Sequence, residues 1–106
     1  MPKYLITASY STEGLKGLLK DGGSSRRAAV QKAAESVGGR LETVYYTFGE
    51  HDVIAICDLP DNTAATSLSL TIGASGLVRT MTTPLITPEE VDAAAKKSVS
   101  YRGPGA

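Results

Sequence analysis

Alternating apolar and polar side chains predict four strands in this chain. Residues 3–10, KYLITASY, alternate in this way, and apolar side chains occur on both faces of the predicted strand. Residues 40–48 are rich in β-branched and aromatic side chains, and GEH separates them from the apolar run at residues 52–59. Residues 77–86 form a fourth run, in which Pro84 is compatible only with a strand end or an edge strand. The second and third strands are therefore expected to form an antiparallel hairpin.

Two helices are predicted between the first and second strands. Residues 11–23 begin with hydroxyl side chains that suit an N-cap and end at a Gly-Gly pair. The apolar face of this short helix comprises Leu15, Leu18 and Leu19. Residues 24–39 follow, with Ser24 or Ser25 as the expected N-cap and Gly38 as the residue after the helix. The apolar face of this longer helix comprises Val30, Ala33, Ala34 and Val37.

Two further helices are predicted in the second half of the chain. Residues 63–76 place apolar side chains at helical spacing before Gly76. The apolar face comprises Ala65, Leu68 and Ile72. The last helix has a strong local signal, because Thr87 as N-cap, Pro88 at N1 and Glu90 at N3 form a capping box.

The order of these elements predicts the fold. A β-α-β-β-α-β order followed by a helix is typical of the α+β class and of its ferredoxin-like, split βαβ arrangement. We therefore expect a four-stranded antiparallel sheet with helices on one face and an extra C-terminal helix. At 106 residues the chain is long enough for one domain with its own core. Residues 1–97 are assigned to that domain, and residues 98–106 to a flexible tail.

Both faces of the predicted sheet are apolar. On the second strand, Val44, Tyr46 and Phe48 alternate with Leu41 and Tyr45, and neither set is polar. Because the helices can cover only one face, the other face requires a second subunit or an apolar ligand. Self-association through the sheet face, with closed symmetry, is the simpler expectation.

Composition and charge narrow the functional classes. Eleven Lys and Arg balance eleven Asp and Glu, so the basic surface of a nucleic-acid binder is not expected. The single cysteine cannot form an internal disulfide, and the chain begins with a strand pattern instead of an apolar leader. No apolar run approaches the roughly 20 residues that a membrane span requires. A cytoplasmic protein with no nucleic-acid or membrane partner is therefore predicted.

Three segments resemble the GYD-domain family, whose members are small ferredoxin-like proteins grouped with dimeric α/β-barrel proteins. They are KYLITASYSTEGLKGLLKDGG, GGRLETVYYTFGEHDVIAICDLPDNTAA and GLVRTMTTPLITPEEV, and together they cover nearly the whole chain. The family motif, Gly-x-Tyr-Asp in the hairpin, corresponds to Gly49, Glu50, His51 and Asp52, so that histidine stands where the family has tyrosine. The resemblance implies the ferredoxin-like fold and oligomerisation, and it implies no particular activity.

The hairpin contains the only histidine and the third strand contains the only cysteine. His51 is the one side chain that ordinarily titrates near neutrality, and the adjacent Glu50 and Asp52 could favour its protonation or help it to hold a metal. The alternative is a half-exposed turn residue. Cys57 is expected in the core, because a strand interior lacks the positive surroundings that activate a thiol.

The start of the second helix is a candidate anion site. Ser24, Ser25 and Arg26 lie where free backbone N–H groups and the helix dipole attract a carboxylate or phosphate. The alternative is an ordinary serine cap with solvated arginines. A P-loop is excluded, because the segment has no Walker-type lysine and does not follow a strand.

Arg79 and three tyrosines are the candidate ligand-binding residues of the sheet. Arg79 is a charged residue within an apolar strand, so it must lie at an edge, pair with an acid or bind an acidic ligand. Tyr10, Tyr45 and Tyr46 add hydroxyl groups to apolar surfaces, as subunit interfaces and small-molecule pockets both do.

Two functions are compatible with these residues. The first is a homo-oligomeric binding or structural module that encloses a small apolar or acidic ligand, with no cofactor or metal. The second is an enzyme of the dimeric α/β-barrel type, with His51 as the catalytic base, Arg79 stabilising an oxyanion and a tyrosine donating a proton. A haem- or metal-dependent version through His51 is a variant of the second.

Overall fold

The computed structural model describes all 106 residues and contains one four-stranded sheet with four helices. The strands are β1 (Lys3–Tyr10), β2 (Arg40–Tyr46), β3 (Val53–Asp58) and β4 (Val78–Leu85). The helices are α1 (Thr12–Asp21), α2 (Gly23–Ser36), α3 (Asn62–Ala74) and α4 (Pro88–Ala95). The strand order is β2-β3-β1-β4, and every neighbouring pair is antiparallel. This arrangement confirms the predicted ferredoxin-like fold class.

The hydrophobic core lies between the sheet and helices α2 and α3. Because side chains alternate along a strand, every second residue of β1 and β3 enters this core. The core comprises Tyr4, Ile6, Ala34, Ala55, Cys57, Leu59, Ala65 and Leu68. Ala34 of α2 and Ala65 and Leu68 of α3 come from the apolar helical faces that the sequence predicted.

The opposite side of the sheet, which we call the open face, is not covered by α1, α2 or α3. Two rows of cross-strand neighbours cross its centre. The first row is Tyr45, Ile54, Thr7 and Met81, and the second is Thr43, Ile56, Leu5 and Thr83. Tyr45 and Met81 are 68% and 60% exposed. The centre of the open face is therefore largely apolar, with three threonines among its eight residues, and the sequence predicted apolar side chains on both faces.

A β-bulge in β2 corrects one prediction. Leu41 was expected on the same side of the sheet as Tyr45, but it lies opposite Cys57 and packs against the core. The register shifts between Leu41 and Thr43, which makes Glu42 the extra residue of the bulge. Since one extra residue reverses the alternation, Leu41 points to the helices.

Two details of the first helices were also predicted wrongly. The N-cap of α2 is Gly22, with φ +85° and no side-chain hydrogen bond, so Ser24 and Ser25 lie within the first turn instead of capping it. Leu19, expected on the apolar face of α1, is 86% exposed. The last three residues of α1 are all exposed, and only one residue separates α1 from α2.

The C-terminal arm, residues 86–106, extends from the rest of the molecule. The predicted capping box is confirmed, because Thr87 accepts a hydrogen bond from Glu90 N and the Glu90 side chain accepts one from Thr87 N. Nevertheless, every residue from Ile86 to Arg102 is exposed. The radius of gyration is 16.9 Å, whereas about 13 Å is typical of a domain of this length.

Candidate functional site

The hairpin motif is fixed to β1 by its aspartate. Asp52 Oδ2 accepts a hydrogen bond from Tyr10 N at 2.8 Å, and Asp52 N donates to Ala8 O at 2.8 Å. Within the hairpin, Thr47 Oγ1 donates to the carbonyl oxygen of His51 at 2.6 Å. These bonds hold the tip of the hairpin beside the end of β1. Asp52 therefore has a structural role, and His51 has a defined position.

His51 and Arg79 lie together at the edge of the open face. They line a depression of about 280 Å³ with Thr7, Ser9, Glu50, Thr80 and Met81, which we call the hairpin-end depression. Arg79 reaches it because it lies directly opposite Ser9 in the β1–β4 register. The structure thus brings together the two residues to which the sequence analysis assigned acid–base and oxyanion roles.

Arg79 lies on an edge strand and is exposed, which is one of the positions expected for it. The protein has four ion pairs, and none of them includes Arg79. No carboxylate therefore lies within ion-pairing distance of its guanidinium group. Its side chain also makes no hydrogen bond. The five N–H donors of Arg79 are therefore free to bind a ligand.

The three candidate tyrosines are not in one site. Tyr10 and Tyr46 point to the helix side of the sheet, whereas Tyr45 lies on the open face of β2. Tyr45 lies on β2 and Arg79 on β4, and these strands are three strand spacings, or about 14 Å, apart. Tyr46 donates a hydrogen bond to Gly23 O at 3.2 Å, and burial, together with the nearby Tyr10, raises its pKa. None of these tyrosines lines the hairpin-end depression.

A second cavity, of about 320 Å³, lies between α1, α3 and the ends of β1 and β4. We call it the helix-side cavity. Its apolar wall comprises Tyr10, Leu18, Ile72, Leu77 and Val78. Arg26, Glu13 and Asp21 supply the charged groups around it. This combination suits a small apolar molecule with one polar group.

The three residues of the candidate anion site do not line one common cavity, contrary to the expectation from the sequence. Arg26 lines the helix-side cavity, whereas Ser24 and Ser25 are exposed and line none of the larger cavities. Neither serine side chain makes a hydrogen bond in the first turn, since the cap position belongs to Gly22. Arg26 therefore lies with Tyr10 instead of with the serines.

A groove between α3 and β4 was not predicted from the sequence. This groove, of about 610 Å³, contains hydroxyl and amide groups that bond to one another. Tyr4 Oη donates to Asn62 Oδ1 at 2.6 Å, and the Ser69 and Thr82 hydroxyls are 2.7 Å apart. Because these groups satisfy each other, they fasten α3 to the sheet. Only their helical and strand spacing could have indicated this contact from the sequence.

Cys57 is fully buried, as expected, and burial raises the pKa of its thiol to about 11. A protonated thiol within the core is a packing residue. The structure brings together no group of three or more His, Cys, Asp or Glu side chains able to hold a metal ion. None of the helices combines the length and apolar character needed to cross a membrane.

Comparison with known proteins gives one match. No curated protein and no solved structure matches the chain significantly. The family model described as GYD domain matches residues 4–95, which include all four strands and all four helices except the first residue of β1. The segments that suggested this resemblance lie within the matched range, except for Lys3. The chain therefore belongs to the GYD-domain family.

Proposed function

We propose that this GYD-domain protein is a small-molecule-binding module that self-associates through the open face of its sheet. The observation that carries the proposal is the pair of apolar rows across the centre of that face, with Ile54, Ile56 and Leu5 at their middle. Nothing in the chain covers these rows. Contiguous apolar surface of this kind is rare on monomers and typical of interfaces.

The C-terminal arm supports the same proposal. Its helix, α4, has eight residues and buries none of them. Helices shorter than about 12 residues are marginal in water without tertiary contacts, even with a good cap. The arm also exposes Val91, Val99 and Tyr101. A second copy of the chain supplies an apolar partner to both the arm and the open face, and a closed two-fold dimer is the commonest such assembly.

The helix-side cavity is the proposed binding site for the small molecule. It lies on the side of the sheet that faces the helices, so self-association through the open face leaves it accessible. Tyr10 and Leu18 offer apolar contacts, and Arg26 offers a guanidinium group to an acidic substituent. We place this module in a reducing compartment such as the cytoplasm, because its one cysteine is buried and unpaired.

Native mass spectrometry of freshly purified protein tests both parts of the proposal. We expect a dimer with twice the 11.0 kDa mass of the chain, and any retained ligand as a discrete added mass. Light scattering at micromolar concentration provides an independent measure of the oligomer. A monomer in both experiments, with no added mass, would rule out the proposal.

Acid–base catalysis at the hairpin-end depression is a second candidate function. It is supported by one observation, the position of His51 and Arg79 in the same depression. There, His51 would accept a proton from the substrate and Arg79 would stabilise the resulting negative charge. Deuterium exchange into the methyl group of pyruvate, followed by NMR, tests this function. Exchange that is lost in His51→Gln supports it, and no exchange above the solvent rate excludes it.

A further inference from the structure

We propose that the hairpin-end depression binds a small monocarboxylate that carries a hydroxyl group, and that the second copy of the chain covers this site. The proposal rests on the self-association proposed above only for the cover. The binding groups themselves all come from one chain: Arg79, Thr7, Ser9, His51 and Glu50.

One residue of the depression has an unsatisfied polar atom. Thr7 Oγ1 is the only buried side-chain nitrogen or oxygen of the protein that has no hydrogen-bond partner. Its neighbours across the sheet, Ile54 and Met81, cannot provide one. Native proteins rarely leave such an atom unpaired. Because the Thr7 side chain lines the depression, rotation of its hydroxyl towards the depression would let a ligand oxygen become this partner.

The same depression has a free positive charge. Arg79 has neither an ion pair nor a side-chain hydrogen bond, although it lies directly opposite Ser9 on β1. Guanidinium groups bind carboxylates through two parallel hydrogen bonds. Ser9 is therefore placed to donate a hydroxyl hydrogen bond to a carboxylate that Arg79 holds, and Thr7 can add a second one when its side chain rotates.

The lining and the volume of the depression limit the charge and size of the ligand. Glu50 lines the same depression, so a doubly charged phosphate would meet a like charge there. A single carboxylate avoids most of this repulsion, and a hydroxyl group next to it can donate to Glu50. The volume of about 280 Å³ suits a molecule of only a few heavy atoms.

The hairpin fixes the geometry of the site before the ligand binds. Asp52 bonds to the backbone of Tyr10 and Ala8, so the adjacent His51 is held beside the end of β1. The floor of the depression is formed by strands β1 and β4, which pair along their whole length. Such a preformed site loses little conformational entropy on binding.

Titration of the full-length protein with lactate, followed by amide NMR, tests the proposal. We expect saturable shifts at Thr7, Ser9, His51 and Arg79, with weaker binding of acetate and of inorganic phosphate. Arg79→Gln should weaken lactate binding by roughly tenfold or more, since it removes charge-assisted hydrogen bonds. Thr7→Val keeps the side-chain shape and should weaken it by a smaller factor.

Arg40→Gln is the matched control. Arg40 is an exposed arginine of the same sheet, but it lies at the opposite end of the open face from Arg79, where its Nε bonds to Asp58 at 2.9 Å. This variant should bind lactate within about twofold of the parent, because screened surface charges contribute little at a distance. An equal loss in both variants, or equal affinity for phosphate and lactate, overturns the proposed site.

Light scattering of the same samples tests the self-association independently of lactate binding. A dimer in which lactate shifts no resonance overturns the site alone. A monomer that binds lactate with the expected dependence on Arg79 supports the site and overturns the self-association and the proposed cover.

Discussion

The carboxylate of Asp52 accepts a hydrogen bond from the backbone amide of Tyr10, and this contact joins the hairpin to the end of β1. Forty-two positions separate the two residues in the chain. The contact fixes the aspartate of the GYD motif in a structural position. It also determines where the preceding residue, His51, lies relative to Arg79.

Asp52→Ala should therefore loosen the hairpin. We expect a loss of about 1–3 kcal/mol in the free energy of unfolding, because an amide bonded to a charged acceptor loses its partner. Urea denaturation measures this loss, and hydrogen exchange should accelerate at Tyr10. Glu50→Ala changes an exposed side chain of the same hairpin that makes no hydrogen bond, and it should have little effect on stability. Equal stability of the two variants would contradict the structural role of Asp52.

Ile54→Glu should dissociate the proposed dimer. Ile54 lies at the centre of the open face, where a buried unpaired carboxylate is strongly unfavourable. We expect a folded monomer by light scattering and circular dichroism. Leu19→Glu makes the same change on the exposed surface of α1 and should leave the oligomer intact. An intact oligomer in Ile54→Glu would show that the open face is not the interface.

Two glycines of α1 should respond in opposite directions to alanine. A Cβ atom at Gly14 would overlap the backbone carbonyl oxygen of Leu77, which also accepts a hydrogen bond from Ser11 N at 2.9 Å. Gly14→Ala should therefore cost about 1–3 kcal/mol of stability. Gly17 has open space around its Cβ position, and Gly17→Ala should gain about 0.5–1 kcal/mol. Thermal denaturation compares them, and a stable Gly14→Ala would contradict the close docking of α1 on Leu77.

Cys57 should be unreactive in the folded protein. Because burial raises the pKa of its thiol to about 11, compared with an ordinary value of 9.0, the thiolate fraction at pH 8 falls about hundredfold. Reaction with a disulfide reagent at pH 8 should be at least that much slower than in urea, where the chain is unfolded. The raised value also means that Cys57 stabilises the fold below pH 9, and that this contribution is lost as the pH rises towards 11. Rapid modification of folded protein would be inconsistent with a closed core.

Asp58 should make stability depend on pH in the acidic range. Its carboxylate accepts hydrogen bonds from Lys3 Nζ and Arg40 Nε, each at 2.9 Å, and the bond from Lys3 in particular lowers its pKa from 3.8. A lowered pKa stabilises the folded state above pH 3.8, and this contribution is lost as the pH falls through the folded value. Asp58→Asn should therefore be less stable than the parent at pH 7, with a smaller difference at pH 3.

Urea denaturation at the two pH values measures this effect. Glu13→Gln provides the control, because the pair of Glu13 with Lys16 is exposed on both sides. It should change stability little at either pH. A difference between Asp58→Asn and the parent that stays constant from pH 7 to pH 3 would contradict the lowered pKa.

The local patterns of the sequence determined the elements and the fold class. Alternation identified the four strands, helical spacing identified the buried faces of α2 and α3, and the capping box marked the start of α4. These features depend on residues close together in the chain, so the sequence displays them directly. The apolar character of both sheet faces was visible for the same reason.

Only the tertiary structure decided which candidate residues meet. The bulge at Glu42 turned Leu41 towards the helices, and a single inserted residue leaves no clear signal in the sequence. Tyr10 and Tyr46 lie on one side of the sheet, whereas His51, Arg79 and the unsatisfied Thr7 lie together on the other. Strand register and the Asp52 contact produce this grouping, and both depend on pairings between distant segments, which local periodicity does not encode.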